Sequence, residues 1–134
     1  MKPLPQSNAT TRHFWAGCGE GRFEIQHCRT CGHRQFPPRF ACVRCHGAEL
    51  EWTKSSGRGA VYSYTVVHRA PLEVFKANVP YVLAVIELEE GVRAMMNVRD
   101  IDPSAVRIGL PVEIFFEPTY DGQPPLPQAR PRSA

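Results

Sequence analysis

The chain has 134 residues, 43% of them hydrophobic, and a formal net charge of +3. This length fits one domain, or a small module beside a small domain, and no apolar run approaches the roughly 20 residues of a membrane-spanning helix. Residues 1–58 hold nine Lys and Arg against four Asp and Glu, whereas residues 59–134 hold seven against nine. This divided charge does not predict a dedicated nucleic-acid-binding protein, which carries a clustered basic face. The odd number of cysteines, five, argues against a disulfide framework, so we expect a reducing, cytoplasmic environment.

The first predicted element is a short helix within residues 11–22, after a polar arm. Phe14, Trp15 and Cys18 fall at helical spacing, and a series of glycines ends the pattern. Two roles are open to the aromatic face: packing on the chain's own ribbon, or contacting a partner. Cys18 is expected to be a buried, structural thiol.

Two Cys-x2-Cys knuckles follow, the first formed by Cys28 and Cys31 and the second by Cys42 and Cys45. Zinc prefers four thiolates in a tetrahedron, and each knuckle supplies two of them from one tight turn. Disulfides between cysteines this close in sequence would be strained. The spacing therefore predicts a closed, structural zinc site with no open position for catalysis, although four thiolates also bind iron. A glycine after each knuckle is expected to let backbone N–H groups face the sulfurs.

The second half of the chain is rich in strand patterns. Residues 60–69, 81–89, 91–98 and 111–118 are β-branched or alternate in hydrophobicity, and Asp102-Pro103 opens a short helix before the last of them. Three strands, a helix, a fourth strand and a weak fifth are the order of a five-stranded OB-fold barrel. The segment after Thr119 holds four prolines, and we expect it to be a docking tail anchored by Leu126 rather than an internal strand.

Taken in order, these motifs resemble one known family. A Phe-Trp helix, the first knuckle, a Phe-Pro-Pro-Arg link ending at Arg39, the second knuckle and the run from Gly57 to Arg69 recur in small proteins that join a rubredoxin-like zinc ribbon to an acyl-CoA-associated OB-fold, formerly a domain of unknown function. The resemblance covers about residues 12–128. With the glycine-rich stretch at residues 54–59 as the boundary, it divides the chain into an N-terminal arm and helix (1–22), a zinc ribbon (23–58), an OB-fold (59–118) and a proline-rich tail (119–134).

The resemblance also implies a function. Family members typically serve as non-catalytic subunits for thiolases, for thiolase-like retro-aldolases of steroid side-chain breakdown, for acyltransferases or for MaoC-type enoyl-CoA hydratases. The partner carries the chemistry, while the zinc-ribbon chain supports assembly and helps to shape the acyl-CoA path. We therefore expect an accessory subunit with a thiolase-like or lipid-transfer-type partner, with acyl-CoA near the interface and no membrane contact.

Further residues are candidates for ligand or partner contacts. Arg39 either braces the ribbon against the barrel or meets a phosphate of CoA, for which a guanidinium is suited. His68 and Arg69 end the first barrel strand, where they are either satisfied by the local backbone or form a polar pair at the mouth of a groove. Phe14, Trp15 and Leu126 are the candidate docking residues.

A competing function is a single-stranded nucleic-acid-binding OB module, in which Tyr62, Tyr64 and Phe75 would stack on bases. The charge of the barrel argues against it, because residues 59–118 hold five Lys and Arg and eight Asp and Glu. A groove that tracks phosphates needs the reverse ratio. A third hypothesis is a pure scaffold that never contacts acyl-CoA.

Overall fold

The computed structural model describes residues 4–70, 72–76, 78–120 and 122–132, apart from the side chains of Val74 and Phe75. Its elements, in chain order, are helix α1 (Arg12–Gly19), strands β1 (Glu24–Cys28), β2 (Arg34–Gln35), β3 (Leu50–Lys54) and β4 (Arg58–Val67), helix α2 (Glu73–Lys76), strands β5 (Tyr81–Leu88) and β6 (Arg93–Val98), a 3-10 turn (Pro103–Ala105), and strands β7 (Pro111–Glu117) and β8 (Leu126–Pro131). Among these described residues, no helix has the length and apolar character needed to cross a membrane.

The strands form two separate sheets. The ribbon has the order β2-β1-β3, and the remaining five strands close into a barrel with the order β4-β5-β6-β8-β7. The predicted mainly β class and five-stranded OB-fold barrel are both confirmed by this arrangement. The 3-10 turn lies before β7, as predicted, and the Asp102 carboxylate caps it by accepting a hydrogen bond from the N–H of Ser104 at 2.9 Å.

The core of the barrel follows the alternation of β5. Val82, Ala84, Ile86 and Leu88 are each at most 3% exposed, whereas Glu87 between them is exposed. Because successive side chains of a strand point to opposite faces, this sequence places one apolar row inside the barrel. The alternation that the sequence indicates for residues 81–89 is therefore confirmed.

Gly59 lets β4 take part in two strand pairs at once. It lies opposite Leu88 of β5 and also opposite Val112 of β7. A Cβ atom on Gly59 would clash with the carbonyl of Glu87. The register therefore shows that the start of β4 serves both sides of the barrel.

Helix α1 packs on its own ribbon through an aromatic cluster. Phe14 is 4% exposed, and its ring lies 5.3 Å from the ring of Phe23 and 5.3 Å from that of Phe36. Edge-on and tilted contacts of this kind stabilise buried aromatic groups. The prediction that Phe14 contacts a partner is therefore wrong, because the ring is already enclosed. Trp15, beside it, is half-buried.

The proline-rich segment is an internal strand, which corrects the prediction of a docking tail. β8 pairs with β7 from Leu126, opposite Glu117, to Pro131, opposite Val112, and it contacts β6 through Ala129. The carbonyl of Ala129 accepts a hydrogen bond from the N–H of Arg99 at 2.7 Å, so Ala129 turns its backbone polar groups towards β6.

The alternation of the strand explains how the prolines are tolerated in β8. Pro127 and Pro131 share the backbone orientation of Ala129, so their missing N–H groups face β6, where the ladder has one registered pair. The N–H groups needed for the longer ladder with β7 belong to the residues between them. Leu126 pairs with Glu117 of β7, so its backbone belongs to the barrel wall and not to a separate docking tail.

Candidate metal centre and ligand-facing sites

The four knuckle cysteines converge at one end of the ribbon. Their sulfurs all lie within 4.8 Å of one another, and the Sγ atoms of Cys28 and Cys45, and of Cys31 and Cys42, are 3.6 Å apart. A tetrahedron with metal–sulfur bonds of about 2.3 Å has sulfur–sulfur edges of about 3.8 Å. The donor set and its spacing thus fit one tetrahedral zinc ion.

Backbone N–H groups point at the sulfurs of both knuckles. The N–H of Cys31 donates to Cys28 Sγ at 3.5 Å, and the N–H of Arg44 donates to Cys42 Sγ at 3.4 Å. The Cys31 N–H is the main reason that the pKa of Cys28 is lowered to about 6. The pKa of Cys42 is also lowered, chiefly by the N–H of Cys45. These donors favour the thiolate form that a metal ion requires.

The turns that aim these donors differ between the knuckles. Gly32 has a φ of 80° and closes the first turn as predicted. In the second knuckle the residue with positive φ is His46, at 64°, while the N–H of Gly47 donates to Cys45 Sγ at 3.4 Å. The second turn therefore uses a histidine where the sequence predicted a glycine.

Two buried glutamines, which sequence reasoning missed, hold the loop between the knuckles. Gln26 exchanges hydrogen bonds of 2.9 Å with both the N–H and the carbonyl of Arg39. Gln35 accepts from the N–H of Val43 at 2.9 Å and donates to Gln26 at 2.8 Å. Each glutamine is 5% exposed. A buried polar side chain needs such partners, but nothing in the local sequence distinguishes these glutamines from surface residues.

The guanidinium of Arg39 does not brace the barrel. Its one hydrogen bond within the described part of the chain goes to the carbonyl of the preceding Pro38, at 3.4 Å. Arg39 is exposed. The backbone of Arg39 is fixed, and its charge is free to meet another molecule.

His68 and Arg69 lie together at a small concavity of about 370 Å³, whose described lining residues are His68, Arg69, Ala70, Lys76 and Val79. Of the two roles open to His68 and Arg69, this placement favours the polar pair at a groove, and Lys76 adds a second cation beside Arg69. Lys76 is partly neutralised by Glu73, at 2.9 Å. A second concavity, of about 780 Å³, is lined by Trp15, Arg12 and Tyr120 together with parts of the N-terminal arm.

Comparison with known proteins identifies the family. The model of the family described as "ChsH2, rubredoxin-like zinc ribbon domain" matches residues 15–51, and that described as "ChsH2, C-terminal OB-fold domain" matches residues 52–117. The chain belongs to this ChsH2 family of zinc-ribbon and OB-fold proteins.

The relatives of this ChsH2-family chain include scaffold proteins and enzyme subunits. It is 47% identical over 90 residues, 66% of the chain and 63% of the relative, to a "DUF35 domain-containing scaffold protein" of Methanocaldococcus jannaschii. It is 41% identical over 112 residues, 84% of the chain, to the "3-oxo-4,17-pregnadiene-20-carboxyl-CoA hydratase alpha subunit" of Mycobacterium tuberculosis, and spans 35% of that protein. A "Probable enoyl-CoA hydratase alpha subunit" of Thermomonospora curvata is 34% identical over 112 residues, 84% of the chain and 34% of that protein.

A solved structure resembles the whole fold. A chain of the structure titled "Ltp2-ChsH2(DUF35) aldolase" has a TM-score of 0.84 and 33% identity, with 96% of this chain and 98% of that chain covered. The ChsH2-family ribbon is of the rubredoxin-like zinc type, and its four clustered cysteines form the metal site. Because four sulfurs complete the tetrahedron, the zinc is structural.

Proposed function

We propose that the chain is a non-catalytic accessory subunit of an enzyme complex that processes acyl-CoA, and that a thiolase-fold partner carries the catalytic groups. The observation that carries this proposal is the near-complete structural similarity to a chain of the Ltp2-ChsH2 aldolase. Both chains are covered almost from end to end, so the similarity includes the ribbon and the barrel together.

The thiol chemistry of the chain supports a catalytic partner. Four of its cysteines are ligands of a closed structural site, which leaves Cys18 as the remaining thiol. Burial, together with the nearby Glu24 carboxylate, raises the pKa of Cys18 to about 12. A nucleophilic cysteine needs the opposite, a lowered pKa and access to substrate. We therefore assign any thiol-based covalent chemistry to the partner.

The concavity beside Arg69 is the proposed acyl-CoA contact. Two cations, Arg69 and Lys76, line this concavity together with the apolar residues Ala70 and Val79, and Lys76 is paired with Glu73. Arg69 has no acidic partner within the described residues, unlike the barrel arginines Arg93 and Arg99, which pair with glutamates. A guanidinium without a counterion on a concave rim suits a phosphate of CoA.

The test is to purify the tagged chain gently from its native host and to identify co-purifying chains by mass spectrometry. A stoichiometric thiolase-fold chain whose acyl-CoA activity falls when the accessory chain is removed is the expected result. Recovery of the tagged chain alone would overturn the proposal. In the reconstituted complex, Arg69→Ala should weaken CoA binding about tenfold, whereas Arg107→Ala, an exposed barrel arginine outside the concavity, should leave it unchanged.

A second candidate function is an accessory subunit of an enoyl-CoA hydratase. Two hydratase alpha subunits are among the relatives, and the chain matches about a third of their length. The same purification distinguishes the candidates, because a hydratase partner would give hydration of an enoyl-CoA and no carbon–carbon bond cleavage.

A further inference from the structure

The segment that contains both knuckles carries an unusual charge pattern. Between Cys28 and Ala48 the chain has four arginines and no Asp or Glu, and the arginines recur every five residues, at Arg29, Arg34, Arg39 and Arg44. All four are exposed, and none has an ion-pair partner within the described part of the chain. A zinc ion with four thiolates contributes a charge of −2 to this segment, so its balance is still positive.

The same segment displays two apolar side chains to solvent. Phe40 is 79% exposed and Val43 is 56% exposed. Phe40 is more exposed than any other large apolar side chain given for the described residues, whereas Phe14, Phe23 and Phe36 of the same ribbon region join the core or pack against it. We call the surface formed by Arg39, Phe40, Val43 and Arg44 the ribbon tip.

The backbone of the ribbon tip is held by hydrogen bonds although its side chains are exposed. Gln26 holds the backbone of Arg39 from both sides, and Gln35 holds the loop at Ala41 and Val43, with a carbonyl contact of 3.3 Å at Ala41. An aromatic side chain on a fixed backbone loses little conformational freedom when it is buried by a partner. Aromatic groups and arginines are also the residue types that carry most of the binding energy in protein interfaces.

We propose that the ribbon tip is a docking knob for the catalytic subunit of the complex, whose matching surface is an apolar pocket for Phe40 with carboxylates at its rim. The proposal rests on the proposed function for the existence of that subunit. Charge complementarity selects the occupant: arginines without acidic neighbours flank the apolar pair, and acidic rim groups would pair with Arg39 and Arg44.

A protein surface fits the ribbon tip better than a nucleic acid. Single-stranded nucleic acids stack their bases on successive aromatic rings, and the tip offers one ring beside an aliphatic side chain, Val43. On the barrel, Tyr62 has one face covered by the guanidinium of Arg93, 3.8 Å from the ring centroid. The side chain of Phe75, the third ring considered for stacking, lies outside the described residues.

The experiment measures binding of the full-length, zinc-loaded chain to the catalytic chain that co-purifies with it. Phe40→Ala should raise the Kd at least about thirty-fold, the effect of a strong interface residue. The matched control is Met95→Ala, which removes another apolar side chain, 68% exposed, from the barrel surface and should change the Kd less than about twofold. Zinc content should be unchanged in both variants, since neither side chain is buried.

Two further measurements identify the occupant. A photo-crosslinking amino acid at position 40 should label a segment of the catalytic chain that contains Asp or Glu. Arg39→Glu with Arg44→Glu should slow association most at low salt, because steering between exposed charges is screened by ions. Labelling of nucleic acid, or labelling of no chain within the intact complex, would overturn the assignment.

The outcomes separate this inference from the proposed function. A complex that forms equally well with Phe40→Ala overturns the docking knob and leaves the accessory function standing. A wild-type chain that recovers no catalytic chain overturns the accessory function, and the docking knob with it.

Discussion

The carboxylate of Glu90 accepts a hydrogen bond from the hydroxyl of Ser55 at 2.7 Å, and by this contact the turn between β5 and β6 holds the linker between ribbon and barrel. The second oxygen of Glu90 accepts from the N–H of Ser56 at 2.8 Å, and Glu89 accepts from the hydroxyl of Ser56 at 2.6 Å. Ser55 is 3% exposed. The linker, the glycine-rich boundary of the sequence at residues 54–59, is therefore fixed to the barrel.

Replacing Glu90 should destabilise the chain. In Glu90→Ala the buried hydroxyl of Ser55 and the N–H of Ser56 lose their acceptor, and the free energy of unfolding should fall by about 2 kcal/mol. Urea unfolding measures this change. The control is Glu87→Ala, which removes an exposed ion pair with Arg93 and should cost less than about 0.5 kcal/mol. Equal losses in the two variants would contradict the role of Glu90.

Sequence reasoning predicted the features that depend on local pattern. The knuckles follow from cysteine spacing, and the inward row of β5 follows from strict alternation. It failed for β8, because a proline-rich segment argues against an internal strand unless the register is known to turn the missing N–H groups of Pro127 and Pro131 towards a short ladder.

It also failed where a polar residue has a distant partner. Ser55 and Glu90 are separated by 35 positions, and Gln26 and Arg39 by 13. The residue type alone does not distinguish a polar side chain that is buried with a hydrogen-bond partner from one that is exposed to solvent. Only the tertiary structure brings these pairs together. Neither the hydrogen bonds between Glu90 and the linker nor those that hold the backbone of the ribbon tip could therefore be predicted.

The zinc site predicts a sharp difference between two cysteine substitutions. Cys42→Ser should lower the zinc content from about one ion per chain towards zero and unfold the ribbon, because three thiolates hold zinc much less tightly than four. Cys18→Ala should keep the full zinc content, since Cys18 is not among the clustered sulfurs. Elemental analysis of the purified variants measures both. A folded ribbon without metal in Cys42→Ser would show that the metal is dispensable.

Cys18 predicts a loss of stability at alkaline pH. The folded chain holds the Cys18 proton with a pKa of about 12, raised from 9.0 by burial first and by Glu24 second. The unfolded thiol ionises near 9.0, so the stabilising contribution is complete below that pH and is lost as the pH rises towards 12. Between about pH 8 and about pH 10.5, the free energy of unfolding should therefore fall more steeply in wild type than in Cys18→Ala.

Comparing wild type with Cys18→Ala cancels the other groups that titrate in this range. Thiol labelling at about pH 8 gives an independent measure, because a protonated, buried thiol reacts slowly until the chain unfolds. Parallel stability curves, or labelling of Cys18 as fast as a free thiol in the folded chain, would contradict the assignment.

Gly59 should be the glycine least tolerant of a side chain. In Gly59→Ala the new methyl group meets the backbone carbonyl of Glu87, which cannot move without breaking the pairing of β4 with β5, so the free energy of unfolding should fall by at least about 2 kcal/mol. Gly19→Ala is the matched control, because no atom lies within 4 Å of its added methyl group and it lies in α1. Alanine favours helix over glycine, so Gly19→Ala should be neutral or gain about 0.5 kcal/mol. Thermal unfolding of the two variants tests both signs, and a stable Gly59→Ala chain would mean that the barrel closes with more room between β4 and β5 than the register allows.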